Sequence, residues 1–216
     1  MSQPSELVAV FKQSDIQKIM KTCFTMLEQG ASAAEIADTF AEAYCQYLKE
    51  EDSEDCRATL LAITNAFERM SLRLRRDKVD NFAIGGVLTE GDHGYIIRSM
   101  VKSVLAENGW DVFEIEPYVD LDTLKDMADY MSPGMIWISL GDNLSEEDEK
   151  KLKWLAHCCH EKNIPIVAGG QKAVEVERLV KEIENPTLLF ILPDMKALHD
   201  WLNTDDGPCG GRNQVS

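Results

Sequence analysis

Apolar positions recur at helical spacing through the first third of the chain and then change period. Ser14 opens a segment carrying Ile16, Ile19, Met20, Cys23 and Met26 or Leu27 on one face, and Gly30 ends it. Ser32 opens a second, with Ile36, Phe40, Tyr44 and Tyr47 one turn apart. A third runs from about Glu54 to Arg76, its apolar face made by Leu60, Leu61, Ile63, Phe67 and Met70. Three or four such helices joined by short loops predict a small antiparallel bundle over residues 1–80. From Asp80 short apolar runs take over: Phe82–Leu88, Val112–Ile115, Met135–Leu140, Ile164–Ala168 and Leu188–Leu192. They alternate with amphipathic segments at about 95–108, 121–131, 145–162, 171–184 and 194–203. Five such units predict an α/β domain over 81–204, a flavodoxin-like (Rossmann-like) doubly wound five-stranded parallel sheet. The Gly-rich polar stretch 205–216 reads as a disordered tail.

Composition narrows the partners. The 216 residues suffice for a sizeable core. A net charge of −16 argues against direct binding to nucleic acid or an anionic membrane, since phosphate surfaces reward clustered Lys and Arg. The basic cluster Arg73–Lys78 ends a predicted helix, where it complements the helix dipole. An acidic surface of this kind suits a small ligand, a protein partner or self-association. No apolar run approaches the length of a membrane span, and the N-terminus lacks the pattern of a signal peptide. Six cysteines in no regular framework read as reduced thiols in a cytoplasmic protein.

Ligands of doubly wound sheets bind outside the carboxyl ends of the strands. Asp92, Gly141 and the Gly169–Gly170 pair all fall there. Several chemistries are excluded by absence. No G-x-G-x-x-G follows the first strand and no G-x-x-x-x-G-K-[ST] occurs. The third and fifth strands end in Ser139-Leu140-Gly141 and Leu192-Pro193, without the Asp and Lys of a phospho-receiver. No Ser-His-Asp or Cys-His set is in evidence, so a non-catalytic protein is expected. His157-Cys158-Cys159-His160 looks metal-like, yet on a helix only the two histidines share a face, too few for structural zinc. The tryptophans at 110, 137, 154 and 201 read as core.

The stretch Gly91-Asp92-His93-Gly94-Tyr95-Ile96-Ile97, then Ser139-Leu140-Gly141 and then Gly169-Gly170, resembles the cobalamin-binding family. That family's pattern is D-x-H-x-x-G, about 41 residues, S-x-L, about 27 residues, then G-G. The intervals here, 98–138 and 142–168, match it. Three positions depart. Gly94 fills the metal-ligating His place, Ile97 the Gly place and Gly141 the Leu place. The resemblance implies a helical bundle over a Rossmann-like sheet, with a tetrapyrrole between them, cobalamin first and haem or a bilin as alternatives. It also implies that Ser139, Gly169 and Gly170 leave a slot for the cofactor's nucleotide tail, with Gly141 widening its mouth. His93, one place early, becomes the candidate metal ligand beside Asp92. Read without the resemblance, Asp92 caps a helix, His93 is a solvated loop residue and the two glycines are a turn.

In relatives with a bundle, a W-x9-E-H pattern covers the upper ligand face. Glu54-Asp55-Cys56-Arg57-Ala58-Thr59 is similar to that family's E-H-x-A-T stretch. Asp55 and Cys56 then stand in the Glu and His places and Cys45 in the Trp place, which would turn a soft thiol toward the ligand. The function implied is a tetrapyrrole-binding sensor or photoreceptor-like regulator, signalling through bundle–sheet packing. The alternative is a methyl-carrying corrinoid protein of a methyltransferase system.

Overall fold

The computed structural model describes residues 4–50, 56–75, 81–88, 93–114, 120–140, 145–170 and 189–204. Four helices come first: α1 (Pro4–Phe11), α2 (Ile16–Glu28), α3 (Ala33–Glu50) and α4 (Cys56–Leu74). The first of these was not separately legible in the apolar spacing. The cap of α2 is Asp15 in place of the expected Ser14. Asp15 is extended and its carboxylate accepts from the N–H groups of Gln17 and Lys18. Ser14 has a φ of 47°, which completes the α1–α2 turn, and its hydroxyl pairs with Thr59 Oγ1 at 3.3 Å. Ser32 does open α3, exchanging hydrogen bonds with Glu35 as a capping box. Phe11, Phe40 and Phe67 then meet as tilted or edge-on rings 5.5–5.7 Å apart at the centre of the helical segment. Leu61, expected on the buried face of α4, is exposed.

The strands are β1 (Asn81–Val87), β2 (Trp110–Glu114), β3 (Met135–Ser139), β4 (Ile166–Gly169) and β5 (Leu189–Leu192). All pair in parallel in the order β2-β1-β3-β4-β5, the flavodoxin-like order. The connecting helices are α5 (His93–Glu107), α6 (Leu121–Met131), α7 (Glu146–Glu161) and, after β5, α8 (Met195–Leu202). Alternation of side chains along each strand separates two cores. Ile84, Ile136, Ile138 and Ile166 face α6 and α7. Ala83, Met135, Trp137 and Val167 face α5 and α8, and that core continues without a break into α1–α4. The helical segment therefore packs on the flank of the sheet domain, over α5 and α8. Trp110, Trp137 and Trp201 are core, as expected, but Trp154 lies half out of the surface with Lys125 over its ring.

Asp55, Asp92, Gly141, the helix expected at 171–184 and the tail 205–216 lie outside the described residues.

Candidate functional site

The carboxyl edge of the sheet is built in rows. On the α5 face, register places Val87, Ser139, Gly169 and Leu192 side by side along the edge. One row below, Gly85, Trp137, Val167 and Phe190 lie side by side. The edge row is locked by Leu88 N–H donating to the Ser139 carbonyl at 3.1 Å and Leu140 N–H to the Gly169 carbonyl at 2.7 Å. The sheet order reverses between β1 and β3, so Val87 and Ser139 stand at the switch point where ligands of such sheets bind.

Ser139 is 3% exposed, and its hydroxyl has no hydrogen-bond partner among the described residues. Burying a hydroxyl in that state costs roughly 1–3 kcal/mol, a cost the fold bears for no visible structural return. The two glycines beside it differ in character. Gly170 has a φ of +121°, and a Cβ there would strike the Leu140 carbonyl, so the backbone alone requires glycine. Gly169 has an ordinary φ, and among the described residues a Cβ would meet only the Leu192 carbonyl oxygen, at 3.1 Å. Gly94 sits in the first turn of α5, where a Cβ would lie 3.3 Å from Val87 Cγ1. Its missing side chain lets α5 settle onto the edge row and leaves no ligand at the position the resemblance gives to the imidazole. His93 is the first residue of α5, and its side chain lies outside the described parts.

The cysteines divide. Ser103 Oγ donates to the Phe67 carbonyl at 2.8 Å, Lys102 pairs with Glu68, and Arg75 pairs with Asp111 beside the start of β2. Hence α4 and α5 run in the same direction. One helical stretch back, at 1.5 Å per residue, Arg57 and His93 both lie about 15 Å toward the carboxyl end. Cys56, buried at the start of α4, thus lies toward the carboxyl end of the sheet. Cys45 is not brought with it. It is exposed, while Tyr44 and Tyr47 take the buried face of α3. Thr59 has a local role, its hydroxyl donating to the Phe11 carbonyl at 3.1 Å. On α7, Cys159 is buried in the core, which pushes its thiol up to about 12, and His157 is exposed. Among the described residues no group of three or more His, Cys, Asp or Glu could hold a metal ion.

Sequence reasoning missed the row beneath Ser139. Trp137 is 2% exposed, with its indole N–H unpartnered among the described residues. A Cβ on Gly85, its register partner, would strike the Trp137 backbone carbonyl first and come within 2.8 Å of Trp137 Cδ1, so both the backbone and the indole edge of Trp137 lie close to that glycine. The Gly85–Gly86 pair inside a strand was the available signal, because strand glycines mark a close approach.

A helical segment followed by this parallel sheet is the fold of cobalamin-binding proteins, a bundle joined to a Rossmann-like domain. The solved monomethylamine corrinoid protein of Methanosarcina barkeri shares it at 16% identity and a TM-score of 0.64, over 90% of this chain and 94% of that one. A cobalamin-binding protein from Desulfitobacterium hafniense matches at 12% identity and 0.47, over 92% of this chain and 96% of that one. A methanol:cobalamin methyltransferase complex from Methanosarcina barkeri matches at 13% identity and 0.46, over 97% and 83%. No family model and no curated protein matches the chain.

The residues present suit a corrin ring laid across the edge row. The row offers two aliphatic side chains, a glycine backbone and one hydroxyl without a partner among the described residues, an uncharged set that suits the amide arms of a corrin. Among its four residues there is no cation for the carboxylates of haem or a bilin. The same residues do not suit a nucleotide tail driven down the α5 face, because Trp137, Val167 and Phe190 fill the next row.

Proposed function

We propose that the chain is a non-catalytic corrinoid-binding protein, cobalamin first among the corrinoids, holding the ring over Val87, Ser139, Gly169 and Leu192. The observation that carries this reading is the buried Ser139 hydroxyl, without a partner among the described residues and set in register with Gly169 at the switch point of the sheet. The likeness of fold to the monomethylamine corrinoid protein supports it. His93 is the proposed ligand of the metal, with Asp92, Gly94, Gly141 and Gly170 shaping the loop ends around the ring and Asp55 and Cys56 above it. Cys45, turned to solvent, has the weakest claim.

Between sensor and carrier we favour the sensor, because Gly94 lacks the imidazole with which a carrier tunes its cobalt through a redox cycle. The second reading, a methyl carrier, draws on the fold shared with the monomethylamine corrinoid protein. In either role the net charge of −16 favours a protein partner or self-association over nucleic acid. Among the described residues no helix is long and apolar enough to cross a membrane. A reducing, cytoplasmic setting is proposed from the six cysteines, which form no regular framework.

The absorption spectrum of the protein purified from its native host tests the ligand, since corrin, haem and bilin bands differ. Small-angle scattering of ligand-free and ligand-bound protein, in dark and light, tests the role. A sensor changes shape, oligomeric state or partner with ligand or light, and a chain identical under all these conditions, with no ligand-dependent partner, counts against the sensor and for the carrier.

A further inference from the structure

Given the corrinoid reading, on which this inference rests, the row below the edge decides which corrinoid is taken. Strand rise sets successive same-face rows about 7 Å apart. Any crevice beside Ser139 is therefore one row deep before it meets Trp137. The indole is buried in the continuous core, and its register partner Gly85 lies against the backbone carbonyl of Trp137 and the edge of its ring, with no space for a Cβ between them. Beside it in the row, Phe190 packs on Trp201 at 4.8 Å between ring centroids. A fused base with its ribose needs more depth than one row, and close-packed interiors yield little when overfilled.

We infer that Trp137 is a plug: the chain binds the corrin ring and leaves the nucleotide tail outside, so it accepts tail-less corrinoids as readily as cobalamin. Selection here acts on the ring and its amide arms. Ser139 then serves those arms at the rim, which accounts for a buried hydroxyl with no partner among the described residues, one row above the Trp137 ring.

The test is equilibrium dialysis of the full chain against cobalamin and against cobinamide, which has the same ring without the nucleotide. Equal affinities, within about threefold, are expected. Cobalamin binding tighter by about tenfold or more would overturn the inference while leaving the corrinoid reading intact. Binding of neither ligand would overturn both. Trp137→Gly, checked for folding by circular dichroism, opens the lower row. It should raise the preference for cobalamin over cobinamide by about tenfold, the worth of roughly one well-formed contact set. A folded variant with unchanged preference contradicts the plug. The wild-type comparison decides the matter even where the variant does not fold.

Discussion

Asp38 on α3 accepts hydrogen bonds from the backbone N–H groups of Met195 and Lys196 at 2.9 and 3.0 Å, so a carboxylate of the helical segment caps the last helix of the sheet domain. The relationship is returned. Glu107, at the end of α5, accepts from the Ala33 N–H at 3.1 Å and lies 3.6 Å from His199 on α8. Each part satisfies helix-end donors of the other, which would otherwise be orphaned.

Asp38→Ala should therefore destabilise the whole chain, by about 1–2 kcal/mol, as loss of a helix cap does. Urea unfolding followed by both circular dichroism and tryptophan fluorescence checks this. A single coincident transition is expected from the continuous core, lowered in midpoint by the substitution. Two separated transitions would show that residues 4–75 and the sheet fold independently.

Burial raises the Asp38 carboxyl above its usual value, against the lowering effect of its two backbone donors, with Asp194 adding to the rise. For an acid with a raised folded-state pKa, ionisation is costlier in the folded than in the unfolded chain. The folded state then holds more protons, and stability falls as pH rises through the carboxylate range. Asp38→Asn keeps an acceptor and removes this titration. The advantage of wild type over Asp38→Asn should widen as pH is lowered from neutral through about 4. An advantage that shrinks over the same range would reverse the sign assigned to Asp38.

Ser139→Ala separates stability from binding. Removing a buried hydroxyl that has no partner among the described residues should leave the ligand-free protein as stable or more stable, by up to about 1 kcal/mol. Corrinoid affinity should fall by about tenfold, the loss of one good hydrogen bond. A variant that melts lower without ligand and binds as before would make Ser139 a structural residue.

The two glycines should behave differently. Gly170→Ala forces a side chain into a left-handed conformation against the Leu140 carbonyl and should cost about 1–3 kcal/mol with or without ligand. Gly169→Ala should cost far less stability, because among the described residues only the Leu192 carbonyl must give, by a few tenths of an ångström. Its effect should instead appear in corrinoid affinity. Thermal melts with and without ligand distinguish the two.

His93→Ala should shift the visible bands of bound corrinoid if the first residue of α5 supplies the metal's side chain, as proposed. Identical spectra would assign His93 to the helix end and leave the metal to water or the ligand itself.

Much of this architecture was legible because sheets write themselves in short apolar runs. The segments at 82–88 and 135–140 became β1 and β3 within a residue or two, and side-chain alternation fixed which of their residues face α5. Caps were less legible where two capping residues adjoin, as at Ser14-Asp15, since only the backbone angle decides between them. The Asp38–Met195 cap was beyond reach, because it joins residues 157 apart on amphipathic faces that look solvated locally. At the site, spacing singled out Ser139 and Gly169, and the β3–β4 register sets them side by side. It said nothing of Trp137, since an indole in a strand reads as core whether or not it closes a crevice.

Corrinoid binding at the carboxyl edge is tested most directly by ligand retention. The full chain is incubated separately with hydroxocobalamin, cobinamide, haem and biliverdin, freed of unbound ligand by gel filtration, and its visible spectrum recorded. Equimolar retention of both corrinoids, lost together in Ser139→Leu, is the expected result. Retention of haem or biliverdin with no corrinoid bands, or corrinoid retention indifferent to Ser139→Leu, would contradict it.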